Sequence, residues 1–307
     1  MANSTLKEIN NGVGSDVEAF IGSAESKFDG SVSELVGGLI SDCNCDIVLL
    51  AGPSSSGKTT TAGKIAEKLH ESGRNAYTLS LDDFYRNAAD IPLTDRGLKD
   101  FENVSALDID LIHQTFGELI DKREAQIPRF DFLTGSRAPD MRTVKLSRDD
   151  VIIVEGIHAL NPIITSGLDE SHICKVYISV SSRVVDDNGK VIFSKRNLRL
   201  VRRMIRDYHY RNTSVEKTLS QWQEVLRGED KYIFPYEKNA RFRLNSFHPY
   251  EPCLFKDEAT ALLGTVGEDS RYYSLACELK NNFSLLSAID SVCLPKNSLL
   301  REFLLRT

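Results

Sequence analysis

The sequence predicts an α/β fold: a mostly parallel sheet with helices on both faces, preceded by a helical extension and followed by a helical region. Three observations carry that reading. Short β-prone runs at residues 47–51, 76–81, 151–154 and 175–180 alternate with helical stretches, as strands of a covered parallel sheet do. A Gly/Ser-rich turn follows the first run directly. Acidic residues end the second and third runs, and ligands on such sheets bind beyond the strands' carboxyl ends.

Residues 1–45 read as the helical extension. Val17, Phe20, Ile21 and Ala24 sit at helical spacing, and Val32, Leu35, Val36 and Leu39 repeat the pattern beyond Asp29-Gly30. Residues 41–46 look like a connector, and residues 46–307 are expected to form one unit with an Arg-rich segment at 195–213. The 38 Lys and Arg against 44 Asp and Glu give a net charge of −6, which argues against a generally basic nucleic-acid binder. Six scattered cysteines are too few for a disulfide framework. A metal reading of Cys43 and Cys45 lacks further ligands nearby. No apolar run approaches the ~20 residues of a membrane helix, and the N-terminus shows no signal-peptide pattern. A cytoplasmic location is expected.

Residues 52–59, Gly-Pro-Ser-Ser-Ser-Gly-Lys-Thr, fit G-x4-G-K-[ST] between a strand and a helix. Gly52 and Gly57 let the chain curl so that N–H groups around Ser54, Ser55 and Ser56 point inward at phosphate. The helix that follows, opening at Lys58, Thr59 and Thr60, aims its positive end at the same anion. Lys58 is expected at the β- and γ-phosphates and the Thr59 hydroxyl on Mg²⁺. The fold class is therefore a three-layer P-loop NTPase fold, with a nucleotide and Mg²⁺ expected at this turn.

The second run ends at Asp82-Asp83-Phe84-Tyr85 and the third at Glu155-Gly156-Ile157. Glu155 is placed to hold Mg²⁺, and Asp82 to accept the proton of an attacking hydroxyl. Helix capping is the plain alternative for both acids. Arg199, Arg202, Arg203 and Arg206 fall on one helix face, with Leu198, Val201, Ile205 and Tyr208 expected opposite. Such a stripe predicts a lid over a triphosphate in preference to a merely solvated face. GTPase hallmarks are missing: there is no N-K-x-D motif, and no D-x-x-G directly follows one of the four β-prone runs.

With these motifs assembled, the chain resembles the uridine kinase / phosphoribulokinase family of P-loop small-molecule kinases. GPSSSGKTT, LDDFY, PRFDFLTGSR, VIIVEGI and RLVRRMIRDYHYR occur in the family's order from about Asp46 onward. The closing stretch looks most like a bacterial nucleoside kinase branch. The resemblance implies Asp82 as catalytic base and metal neighbour, Tyr85 on the substrate side, and Thr59 and Glu155 at magnesium. It implies Glu102 and Arg203 at ribose hydroxyls, and Arg206 and Arg211 as lid arginines, with a third replaced by Thr213. Where uridine kinases present Tyr-Asp-Phe-x-x-His to the pyrimidine, this chain has Phe130-Asp131-Phe132-Leu133-Thr134-Gly135. The aromatic surfaces remain, but the Tyr hydroxyl and the His are replaced, so the base edge loses two potential partners. A strong pyrimidine preference would require other side chains near Arg137 or Tyr85 to read the base. The expected reaction is ATP-dependent phosphorylation of a primary hydroxyl, the 5′-hydroxyl of a nucleoside. A sugar, sugar phosphate or polyol kinase and a non-catalytic nucleotide-binding regulator are the alternatives. The expected partner is a small-molecule acceptor, without nucleic acid or membrane; self-association is left open.

Overall fold

In the computed structural model, which describes residues 3–42, 45–94, 97, 99–131 and 134–304, the strand Ile47–Ala51 lies at the centre of the main sheet. Its five residues are all buried because each face meets helices. Val48 and Leu50 enter one hydrophobic cluster, and Ile47, Leu49 and Ala51 enter the other. A run with no polar position is what two covered faces require.

In chain order, β1 (Ser4–Thr5), α1 (Leu6–Ser15) and α2 (Val17–Ser41) precede β2 (Ile47–Ala51). Next come α3 (Lys58–Glu71), β3 (Ala76–Ser80), α4 (Ile109–Asp121) and the short strands β4 (Glu124–Ile127), β5 (Phe130–Asp131), β6 (Ser136–Arg137) and β7 (Arg142–Lys145). β8 (Val151–Glu155), β9 (Ile173–Ser179), β10 (Val184–Val185) and β11 (Val191–Phe193) lead into α5 (Lys195–Arg211) and α6 (Val215–Tyr232). β12 (Phe242–Asn245), α7 (Glu251–Leu263) and α8 (Tyr273–Ser284) follow, and a 3-10 turn, Leu299–Glu302, lies near the end.

The main sheet has the order β12-β9-β2-β8-β3, and every pairing in it is parallel. β2 lies between β8 and β9, so the chain crosses over on either side of it, and the turn after β2 opens into the crevice at that switch point. β12 was not legible as a strand: Phe242–Asn245 is short, and Arg243 and Asn245 break its apolar pattern. β3 is an edge strand with exposed side chains, Tyr77 among them.

The N-terminal helices belong to the core. Thr5 and Glu8 form a capping box on α1, and the Asp16 side chain caps α2 at the Ala19 N–H. α2 runs unbroken through Asp29-Gly30, because Phe28, Val32 and Leu35 are buried and Asp29 pairs with Lys64 of α3 at 2.8 Å. Packing outweighs the ~1 kcal/mol that an interior glycine costs a helix. Cys43 lies outside the described residues, and Cys45 is buried. Among the described residues, no helix is long and apolar enough to cross a membrane.

Phe28→Ala is expected to cost about 3–5 kcal/mol of stability, read by urea unfolding. A loss below about 1 kcal/mol would show that α2 is not part of the cooperative core.

Candidate active site

The turn after β2 has a shape that only its glycines permit. A Cβ on Gly52 would lie 2.2 Å from the Ile178 carbonyl oxygen and 2.6 Å from Ser56 Oγ. Gly57 has φ +86°, and a Cβ there would strike Leu299 at 2.6 Å. Ser55 takes φ +58° inside the turn. The first-turn N–H groups of α3, on Lys58, Thr59 and Thr60, have no intrahelical acceptor. The Ser55 and Ser56 hydroxyls are buried without a partner among the described residues. Unpaired donors around a glycine-walled cradle fit a polyphosphate.

Buried charges hold the turn from outside. Ser54 donates its N–H to Glu229 at 3.0 Å, and its carbonyl accepts from Arg199 at 3.0 Å. Arg199 meets Glu229 through both guanidinium nitrogens, at 2.7 Å for Nη2, and lies over the Trp222 ring. Arg202 donates to the Ser55 carbonyl, the Ser246 carbonyl and Glu251. Arg199 and Arg202 are 3% and 0% exposed. The predicted arginine stripe is therefore not a free lid face. Two of its members are sealed between α5, α6 and α7, while Tyr208, expected on the apolar side, is exposed. The remaining arginines gather on one buried acid: Asp207 meets Arg203 at 3.2 Å, Arg206 at 3.4 Å and Arg211 at 3.3 Å. Arg203 also donates to Ser54 Oγ at 2.7 Å.

The acids converge on the same cradle. Glu155, at the end of β8, accepts from the Thr59 hydroxyl at 3.3 Å and from Ser80 Oγ at 3.0 Å. Asp82 stands in the 3-10 turn Leu81–Phe84 beyond β3, its N–H on Ser80 Oγ. Burial raises the Asp82 pKa, against the pull of Lys58. Burial likewise pushes Glu155 up to about 7, with Lys58 opposing and Asp82 adding to the rise. Lys58 Nζ rests on the Pro53 carbonyl at 3.3 Å. A hydroxyl, carboxylates and phosphate oxygens are hard ligands suited to Mg²⁺. The cradle also includes an acid that motif reading passed over: the Thr60 hydroxyl donates to Glu302 at 2.8 Å. Its only sequence signal was membership of the closing segment.

Glu102 lies against α6, where a Cβ on Gly228 would come within 2.4 Å of the Glu102 Cβ. Burial pushes Glu102 up to about 7, partly offset by Arg203. Tyr85 donates its hydroxyl to the Phe101 carbonyl at 2.9 Å and packs 5.6 Å from the Phe130 ring. Phe130 is 6% exposed, so most of its face is already covered. Phe132 lies outside the described residues. Arg137 donates to the Tyr85 and Phe84 carbonyls at 3.0 and 3.1 Å and pairs with Asp108 at 3.0 Å, supporting the Tyr85 turn. Gly135 sits at φ +66° with Ala88 Cβ 3.1 Å from where its own Cβ would be, so this turn does not readily take a histidine. His158 and Tyr232, absent from the motif reading, stand beside Glu102, their rings 6.3 Å apart.

The chain matches the phosphoribulokinase / uridine kinase family over residues 47–248. It belongs to that family. A uridine kinase of Ureaplasma urealyticum serovar 10 is 27% identical over 195 residues, which cover 63% of this chain and 84% of that one. A uridine kinase of Staphylococcus aureus (strain JH9) is 29% identical over 196 residues, 63% of this chain and 84% of that protein. The solved phosphoribulokinase from Rhodobacter spheroides has a TM-score of 0.42 at 19% identity, covering 64% of this chain and 68% of that chain. Kinases of this family use ATP, and the chain is accordingly a phosphotransferase with a small-molecule substrate.

Glu251→Gln leaves Arg202 buried without a counter-charge and is expected to cost about 3–5 kcal/mol. Arg202→Met with Glu251→Leu should recover most of that loss in chemical denaturation; equal losses would contradict the clamp. A second expectation follows from Glu102, whose folded-state pKa of about 7 lies above its ordinary 4.5. Its stabilising contribution is fully present below the ordinary value and lost as pH rises through about 7. Glu102→Gln should therefore raise Tm at pH 8, and the gain should shrink as pH falls toward 5. A pH-independent difference would contradict this burial.

Proposed function

We propose that the protein transfers the γ-phosphoryl group of ATP to the 5′-hydroxyl of a nucleoside. The observation that carries this reading is the grouping of Asp82, Glu155 and Glu102 around Lys58, facing the glycine-walled cradle. Magnesium, when bound, neutralises charge on the phosphates, and Thr59, Glu155 and Asp82 are the residues that would hold it.

Every other contribution comes from the chain. The N–H groups of Ser55 and of residues 57–60 and the ammonium of Lys58 bind the phosphates. Asp82 accepts the proton of the attacking hydroxyl, and a raised pKa brings that base closer to the working pH. Arg206 and Arg211 turn from Asp207 toward the charge that develops on the transferred group. Glu102 and Arg203 hold a vicinal diol, fixing the hydroxyl in line. Phe130 and Tyr85, packed on each other and almost wholly buried, leave little aromatic face for a base.

The left-handed turn at Gly135 supports weak base selection, since it lacks a side chain that could hydrogen-bond a pyrimidine edge. A mainly apolar pocket discriminates by only about 10- to 200-fold per small group. An acceptor without a pyrimidine is the second reading, resting on the same observation.

The test is ADP release over uridine, cytidine, adenosine, guanosine, ribose and polyols. Turnover of several ribonucleosides within about 200-fold of one another in kcat/KM is expected. Turnover of ribose or polyols alone would overturn the nucleoside reading. Lys58→Ala is expected to abolish turnover with the fold intact. Asp82→Asn should lower kcat by at least ~10²-fold with ATP affinity little changed; wild-type rates in either folded variant would contradict the assignment.

A further inference from the structure

His158 is the buried polar side chain at this site for which the roles above provide no task. It is 1% exposed, and neither ring nitrogen has a hydrogen-bond partner among the described residues. A buried donor or acceptor left unpaired costs about 1–3 kcal/mol, so an imidazole with both nitrogens idle needs a reason.

Its setting supplies one. A Cβ on Gly156 would lie 2.7 Å from the Leu81 side chain. The glycine lets the chain beyond β8 pass tightly beneath the Asp82 turn, and His158 follows two residues later. There the ring stands edge-on to Tyr232 at 75°. Tyr232 accepts from Asn103 at 3.1 Å and donates to Asp100 at 3.4 Å, on the loop that also carries Glu102. The Glu102 backbone carbonyl is near enough to act on the ring without meeting hydrogen-bond geometry. Burial above all takes the His158 pKa down to about 4, and Lys58 adds to the drop. The ring is therefore neutral near pH 7, with one nitrogen that donates and one that accepts. A hydroxyl can satisfy either nitrogen.

We propose that His158 is a specificity-determining residue of the acceptor site, pairing through its imidazole with a sugar hydroxyl of the acceptor beside Glu102. The acceptor class is then one that presents a vicinal diol at this position, and selection falls on the sugar more than on the base. This rests on the acceptor reading under Proposed function.

The experiment uses the full chain with Mg·ATP and three probes: uridine, 2′-deoxyuridine and 3′-deoxyuridine. Unmodified protein should prefer uridine over at least one deoxynucleoside. His158→Leu should lower kcat/KM for uridine by roughly 10- to 100-fold, the cost of a buried hydrogen bond left unmade. For the deoxynucleoside that lacks the paired hydroxyl it should change little, so discrimination at that hydroxyl disappears. His158→Asn or His158→Gln, each of which keeps a donor and an acceptor near one ring nitrogen, should restore part of it, and Mg·ATP affinity should hold in every variant. Equal losses on all three probes in variants that still bind Mg·ATP would overturn the inference, because a purely structural histidine behaves that way. Unchanged selectivity would overturn it too. Failure of the acceptor reading looks different: the unmodified protein then releases ADP with none of the three probes, and the inference falls with it.

Discussion

The phosphate cradle keeps its shape because two arginines of one helix hold its outer carbonyls while two glutamates neutralise them. Arg199 and Arg202 reach Ser54 and Ser55 from α5, and Glu229 and Glu251 answer from α6 and α7. Buried ion pairs of this kind roughly break even in stability against apolar residues of the same shape. Their effect lies in geometry: a loop fixed from behind presents its N–H groups without reorganising when phosphate arrives. The same anchoring limits what can move. With Arg199 and Arg202 sealed in the core, α5 cannot swing as a rigid lid. Motion is left to the side chains of Arg203, Arg206 and Arg211, which share the buried Asp207.

One helix links the glycine-walled cradle to Glu102. Glu229 of α6 takes the Ser54 N–H, and the residue before it, Gly228, is the close approach to Glu102. Adjacent positions thus touch the phosphate cradle and the acid proposed for the acceptor diol. Carboxylates crowded around Lys58 have raised pKa values because burial removes water that no fixed cation fully replaces. A site built this way favours an incoming cation, and a metal-nucleotide brings one.

Local signals made the cradle legible. A continuous apolar run before Gly52, with Gly57 and Lys58 at fixed spacing, determines strand, turn and helix start within about a dozen residues. Glu155 and Asp82 were legible for a similar reason, since each ends a strand of the same sheet. What the arginines do was not legible. Spacing placed Arg199, Arg202, Arg203 and Arg206 on one face, but the partners that separate clamp from phosphate contact, Glu229 and Glu251, lie on other helices. Glu302 and His158 were hidden for the same reason, each reaching the site through tertiary packing alone. Gly135 read as a simple substitution, whereas the backbone there takes a left-handed conformation that disfavours any side chain. β12 escaped because its apolar/polar alternation lasts only four residues.

The most direct test of the clamp is the Mg·ATP dissociation constant of Arg199→Met with Glu229→Met, measured by calorimetric titration. Removing both partners avoids a stranded buried charge, so the fold should persist with nearly unchanged stability. The expected result is binding weaker by about tenfold or more, roughly 1.4 kcal/mol, because Ser54 loses both of its backbone restraints. Wild-type affinity in this stably folded double variant would contradict the claim that the buried pair shapes the phosphate site.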